Sequence, residues 1–299
     1  MSAFKENSMK KKLLLTLALI ISASVAFGQD DSRFKIGSND VFKGPVGLQL
    51  YSLRDTFGQS VEKGFDVAEE LGFGYVELAG KYNLSNEEML AKLKEHHLTP
   101  IAGHWDYNLF KNDPEAVAKE AKALGLKYAG VAWIPHNGDF DEQDVEEAAK
   151  TFNRAGKVLA DYGLGFYYHN HGYEFLPAGD DKTMFDLLVE KTDPNYVSFQ
   201  MDILWTIFPG QDAAALLRKY PDRWLLIHLK DLKKGVVGDN SGGTSVENDV
   251  ALGTGQVPYA EVLKAAQEVG VKYYFIEDES PRAIEQIPQS LKYLESVKW

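Results

Sequence analysis

Histidine, aspartate and glutamate recur at one kind of place along this 299-residue chain: just where a short apolar run ends. In chain order these places carry Gln49 and Tyr51; Glu77; His104 and Asp106; Trp133 and His136; His169, Asn170, His171 and Glu174; Asp202; His228 and Lys230; and Glu277 and Glu279. Five of the seven histidines fall in this set, and the other two, His96 and His97, end a helical segment. Imidazole and carboxylate together suit Mn, Co, Zn or Fe(II), and both can also move protons. The chain has no Cys, which excludes disulfides, thiolate nucleophiles and zinc–thiolate sites.

His169, Asp202, His228 and Glu277 end four consecutive apolar runs. If those runs are neighbouring strands of a closed barrel, the four side chains converge on one point and can hold a divalent metal, with positions left for substrate oxygens. His169 and His171 are two apart and share a strand face, as do Glu277 and Glu279, so each pair offers one ligand and one orienting or proton-transfer group. Singly, each histidine reads as a satisfied core residue and each acid as a partner of Lys230 or Arg282. Together they need a cation, because uncompensated buried carboxylates are costly. Tyr51, Trp105, Trp133, Tyr173 and Trp205 can wall a sugar-sized pocket, with Glu77 and His104 as substrate-binding groups beside them.

The elements that would position these groups follow from periodicity. Strand-length apolar runs lie at 46–53, 74–79, 98–105, 128–133, 164–170, 196–202, 224–230 and 273–278. Segments of helical period alternate with them at 58–71, 85–96, 114–124, 141–162, 181–190, 211–219, 258–269 and 284–297. Runs apolar on both faces, each followed by a helix, indicate parallel strands, and eight such units match an α/β (β/α)8 TIM barrel in count and size. A single barrel domain over 45–299 is therefore expected. The alternative is a doubly wound open sheet, whose dinucleotide-binding version lacks its Gly-x-Gly-x-x-Gly turn after the first strand. Asp113-Pro114 reads as an N-cap with proline at the first helical position, and Gly72, Gly125, Gly163 and Gly270 sit where helices end. The Gly-rich stretch 232–256 is too long for an ordinary connection and reads as a lid or active-site wall.

Before the barrel, Lys10, Lys11 and Lys12 precede an apolar stretch from Leu13 to about Phe27 that ends in small residues. Residues 1–28 therefore read as a signal peptide, which implies an exported, periplasmic protein, and residues 29–44 as a linker. No stretch is long and apolar enough to span a bilayer. A formal charge of −12 gives no electrostatic support for a sequence-independent grip on a phosphate backbone, so no nucleic-acid partner is expected. With 44% hydrophobic and 25% charged residues, the chain can bury a large core.

VGLQLYSLRD (46–55), YHNHGYEF (168–175), MDILW (201–205), HLKD (228–231) and IEDE (276–279) occur in one order along the chain. In these motifs, over about residues 45–297, it resembles the sugar phosphate isomerase/epimerase superfamily with the xylose isomerase-like TIM barrel. The resemblance implies a divalent metal, Mn, Co, Mg or Zn, held by acids and a histidine of the last four strands. Carried over, Asp202, His228 and Glu277 are ligands, and His169 stands where the family has a glutamate. His169, His171 or Glu174 could fill that fifth-strand role. The chemistry implied is removal of a proton next to a carbonyl of a keto-sugar, as in an isomerase or epimerase. Glu277 is the family's candidate base, with Glu174, His171 and Lys230 as local alternatives. A 3-keto-glycoside lyase or hydratase uses the same first step, and a non-catalytic sugar-binding barrel is the third reading. The partner implied is a small-molecule sugar or glycoside, and a homo-oligomer is compatible with the fold.

Overall fold

A computed structural model describes residues 32–299, so the expected signal peptide lies outside the described residues. Eight parallel strands close into a barrel: β1 (Val46–Gln49), β2 (Tyr75–Leu78), β3 (Thr99–His104), β4 (Tyr128–Val131), β5 (Gly165–His169), β6 (Val197–Asp202), β7 (Trp224–Leu229) and β8 (Tyr273–Ile276). Neighbours in sequence are neighbours in the sheet, and β1 pairs with β8 through Val46 beside Tyr274 and Leu48 beside Ile276. A ring helix follows each strand: α1 (Val61–Glu70), α2 (Asn86–Glu95), α3 (Pro114–Ala123), α4 (Glu142–Asp161), α5 (Met184–Lys191), α6 (Ala213–Lys219), α7 (Tyr259–Glu268) and α8 (Ala283–Ser296). This is the (β/α)8 TIM barrel expected from the alternation. Among the described residues no helix is long and apolar enough to cross a membrane.

Side chains that form strong local bonds set several boundaries. Asp113 Oδ1 accepts from Ala116 N at 3.0 Å with Pro114 opening α3. Gly72, Gly125, Gly163 and Gly270 take φ of 86°, 73°, 77° and 78°, the left-handed turn that lets a helix stop and the next strand begin. The first strand is shorter than its apolar run. Gln49 Oε1 accepts from Tyr51 N at 3.1 Å, and the chain turns at once into a 3-10 turn, Leu50–Leu53, and a short helix, Arg54–Gln59. Two further short helices, Tyr107–Asn112 and Ile203–Ile207, follow β3 and β6, capped by Asp106 and Asp202.

Residues 32–44 are not a free linker. Phe42 is fully buried with its ring 5.0 Å from that of Tyr274. Asn39 Nδ2 donates to Leu294 O at 2.7 Å and Val297 O at 3.0 Å at the end of α8. An apolar residue and an amide that reaches two helix-terminal carbonyls are enough to order the segment against the barrel.

Strand alternation divides the core. Phe166, Tyr168, Ile227, Leu229, Tyr274 and Ile276 pack toward the helices. Tyr167, Leu226 and Phe275, from the intervening positions, form a separate cluster with Ile101 inside the barrel, and Tyr75, Tyr128 and Tyr273 pack against it. Advancing two residues along the same face of β5, β7 and β8 reaches His169, His228 and Glu277, so the interior is apolar below and ionisable at its C-terminal mouth.

Tyr167 joins the two tiers. Its ring lies across from Gly130, its register partner on β4, and a Cβ at Gly130 would come within 2.7 Å of three ring atoms. Gly130→Ala should therefore cost about 1–3 kcal/mol by overpacking. Urea unfolding checks this: the midpoint should fall with the slope unchanged.

Candidate active site

Glu77, on β2, is enclosed at the centre of the mouth. Its Oε1 accepts from Tyr167 OH at 2.6 Å and Gln200 Nε2 at 2.9 Å; its Oε2 accepts from Gln49 Nε2 at 2.8 Å and from His228 Nε2. Burial would raise its pKa, but the imidazoles of His228 and His104 and these donors outweigh burial and lower it to about 2. Read from sequence as a substrate-binding group, Glu77 is instead wholly committed to its neighbours and does not line the cavity.

Glu77 also decides how two histidines present themselves. Gln200 spends its amide NH2 on Glu77, so Gln200 Oε1 is the acceptor for His169 Nδ1 at 2.9 Å and His104 Nε2 at 3.1 Å. His169 therefore carries its proton on Nδ1 and turns a lone pair on Nε2 toward Asp202 Oδ2, 3.9 Å away. His228 gives Nε2–H to Glu77 and turns Nδ1 toward Glu277 Oε2 at 3.0 Å and Asp202 Oδ2 at 3.9 Å. Ligand atoms of Asp202, His228 and Glu277 all lie within 4.8 Å of one another. Bonds of about 2.0–2.2 Å to one cation place ligand atoms roughly 3–4 Å apart, a range that the His228–Glu277 and His228–Asp202 separations meet, while His169 groups instead with His104 and His228.

Asp202 divides its carboxylate between two states. Its Oδ1 accepts from Trp205 N at 2.9 Å and caps the 203–207 helix. Its Oδ2 is buried without any hydrogen-bond partner. Burial, with Glu277 nearby, raises its pKa to about 7 against the pull of Lys230. For His228, burial is outweighed by Glu77 and Glu277, which push it up to about 10, so a proton holds the place of positive charge among these acids. Burial and the neighbouring His228 hold His169 neutral, well below the ordinary histidine range.

The cavity above these groups measures about 470 Å³ and is lined by Gln49, Tyr51, His104, Trp133, His169, His171, Trp205, His228, Glu277 and Glu279, with Gly242, Gly243 and Thr244. Those last three come from the 232–256 stretch, which forms one wall. A short antiparallel ribbon, Asp231–Leu232 with Asp249–Val250, roots it. Asp231 pins its return by accepting from Gly253 N, Gly255 N and Val257 N at 2.9, 2.9 and 3.1 Å. Asn240 Nδ2 reaches Gly172 O at 3.0 Å across the mouth.

His171 lines this cavity with Nδ1 buried and unpartnered. Burial, then the charge of Lys230, lower its pKa to about 3, so the imidazole is neutral. Lys230 does not line the cavity. It is buried against Glu279, 3.5 Å from Glu277 Oε2 and 3.7 Å from Asp249 Oδ2, and these carboxylates outweigh burial to keep it charged. A lysine held in that way positions acids and is not a base. Glu174, another base candidate from sequence, faces away from the cavity. Its carboxylate accepts from His171 N at 3.0 Å, Gly172 N at 2.7 Å and the Tyr168 hydroxyl, so it builds the turn that presents His171. Nor can it be the fifth-strand ligand.

Gln200 and Asp249 escaped the sequence reading. Gln200 stands two residues before Asp202, on the same strand face, and that spacing was the available signal. Asp249 sits inside the irregular stretch, where no periodicity marks it.

A family model described as a xylose isomerase-like TIM barrel matches residues 65–299. An inosose dehydratase of Clostridium tetani is 33% identical over 98 residues, 33% of this chain and 32% of that protein. Across the first three inosose dehydratases matched, the alignment spans 32%, 47% and 61% of the relative's length. Among solved structures, a sugar phosphate isomerase/epimerase from Parabacteroides distasonis superposes with a TM-score of 0.71 at 23% identity, covering 84% of this chain and 98% of the other. The IolI protein with a bound zinc atom gives a TM-score of 0.65 at 15% identity, covering 83% and 95%.

Glu174→Ala would leave two backbone N–H groups and the Tyr168 hydroxyl without their acceptor. The expected cost is about 3 kcal/mol of stability, a fall in Tm of several degrees by calorimetry. An unchanged Tm with abolished turnover would restore Glu174 to the chemistry.

Proposed function

Because the chain belongs to the xylose isomerase-like TIM barrel family, we propose that it is a divalent-metal-dependent carbohydrate enzyme that removes a proton next to a carbonyl. The observation that carries this reading is the partnerless buried oxygen of Asp202, 3.9 Å from both His169 Nε2 and His228 Nδ1. A buried carboxylate oxygen that faces the bare Nε2 of His169 and a His228 held protonated among acids is what a protein alone leaves costly. A cation satisfies it, taking the place of the His228 Nδ1 proton. His169, Asp202, His228 and Glu277 would hold the metal. When bound, a divalent ion supplies polarisation of the substrate carbonyl and stabilises the charge that develops as the C–H bond breaks.

The chain's own groups do the rest. His171, whose unpartnered Nδ1 lines the cavity, is assigned by position as the group that takes the proton from carbon. An acid bound beside it, against the Lys230 charge, would have to raise its basicity. Glu77 and Gln200 fix the tautomers of His228 and His169, and Lys230 steadies Glu277. Tyr51, Trp133 and Trp205 wall the ring of the substrate, with His104 beside them. The lining carries Glu277 and Glu279 and neither Arg nor Lys, which favours an unphosphorylated sugar, cyclitol or glycoside.

The electron pair left on carbon has two fates. Expulsion of an oxygen from the neighbouring carbon makes the enzyme a dehydratase or lyase, and the inosose dehydratase similarity supports this outcome. Reprotonation makes it an isomerase or epimerase. The test is NMR in deuterated buffer with an inosose and a 3-keto-glucoside, after chelation and after reloading with Mn, Co, Mg or Zn. Elimination should release water or the C1 substituent; an epimerase should incorporate deuterium with nothing released. Asp202→Asn should lower turnover by about 10³-fold while the chain stays folded, and His171→Asn should lower kcat by about 10²-fold or more with metal retained. Full turnover after exhaustive chelation would end the metal reading, and sugar binding without exchange under every loading would leave a binding barrel. Glu77→Gln, which loosens His228, should weaken metal affinity about 10–100-fold by calorimetry.

A further inference from the structure

His96 ends α2 and meets four acids, none of them a residue of the barrel mouth. Glu62, Asp66 and Glu69 lie at i, i+4 and i+7, one stripe of α1, and Glu95 precedes His96. The helix stops because His97 takes φ of 56°, which lets Leu98 N reach Leu93 O at 2.7 Å and leaves His96 folded against α1. His96 is only 5% exposed, with its ring stacked on Phe65 at 5.6 Å and an interplanar angle of 15°.

The two ring nitrogens are unequal. Nδ1 is 3.0 Å from Glu69 Oε2 and 3.8 Å from Asp66 Oδ1, so Glu69 accepts Nδ1–H. Nε2 is buried and has no hydrogen-bond partner; the nearest carboxylate oxygen, Glu62 Oε1, is 3.7 Å away. Ligand atoms of Glu62, Glu95 and His96 lie within 4.8 Å of one another. A carboxylate that takes one ring N–H and thereby presents the other nitrogen's lone pair is the arrangement that orients metal-binding histidines. Lys92 Nζ lies 2.5 Å from Glu62 Oε2 and 2.9 Å from Glu95 Oε2. Its ammonium occupies the position of positive charge, on a flexible stem that can swing into solvent.

We propose that Glu62, Glu95 and His96 form a second divalent-cation site, of the zinc type with one nitrogen and two oxygen ligands, that clamps α1 to α2. Zinc suits this donor set and tolerates a water in its fourth position. The site is independent of the catalytic reading and shares no residue with it.

Calorimetric titration with Zn²⁺ tests it on the chelator-stripped full chain carrying Asp202→Asn and His228→Ala, with and without His96→Gln. The first protein should take up one zinc per chain and gain Tm on loading; the second should do neither. Lys92→Met, which removes the competing ammonium, should tighten binding about tenfold. Should the double background fail to fold, the otherwise unsubstituted chain serves, since His96→Gln alone should lower its zinc stoichiometry by one while turnover is kept. Equal uptake with and without His96, or no uptake at this site in the first protein, overturns the proposal.

Discussion

A closed barrel mouth lined with imidazoles and carboxylates exists only if each charge finds compensation away from water, and Glu77 is where that requirement is met. Four donors from four strands, Gln49, Tyr167, Gln200 and His228, end on its two oxygens. Removing any one leaves a buried acceptor short, so the strands are tied in register by their polar ends as well as by their ladders. The same bonds set which nitrogen of His228 and, through Gln200, of His169 faces the cavity. Stability and the orientation of the two imidazoles therefore share one network.

The loops repeat this logic at a larger scale. Glu174 spends a buried carboxylate on the turn after β5, and Asp231 spends one on the return of the 232–256 stretch. Each acid gathers backbone N–H groups that no strand or helix would satisfy. What they hold is the cavity's furniture: His171 beside Trp205 and Trp133, and the Gly242–Thr244 wall opposite. The geometry of this face thus draws on acids that do not line the cavity.

Asp202 shows the contrast. Half of its carboxylate is structural, capping a short helix, and half is unsatisfied. Asp278 Oδ2 is likewise bare, but Asp202 Oδ2 differs in facing two histidines and lying in a group with Glu277.

Architecture was legible in sequence because it rests on local periodicity. Runs apolar on both faces followed by amphipathic helices are read residue by residue, and they already put His169, Asp202, His228 and Glu277 at the ends of four consecutive strands. Where strands stopped was harder, since a side chain such as Gln49 can capture a backbone N–H and end a run that is still apolar. What the sequence by itself determined was thus the barrel and the set of residues at its mouth. Only the tertiary structure decided their division of labour: Glu77 and Glu174 turned inward to hold others, Lys230 became a buried counter-charge, and His171 was left exposed to the cavity. The reason is that each role depends on which donors and acceptors from distant strands arrive within about 3 Å, and hydrogen-bond partnership at that range has no signature in the spacing of residues along one chain.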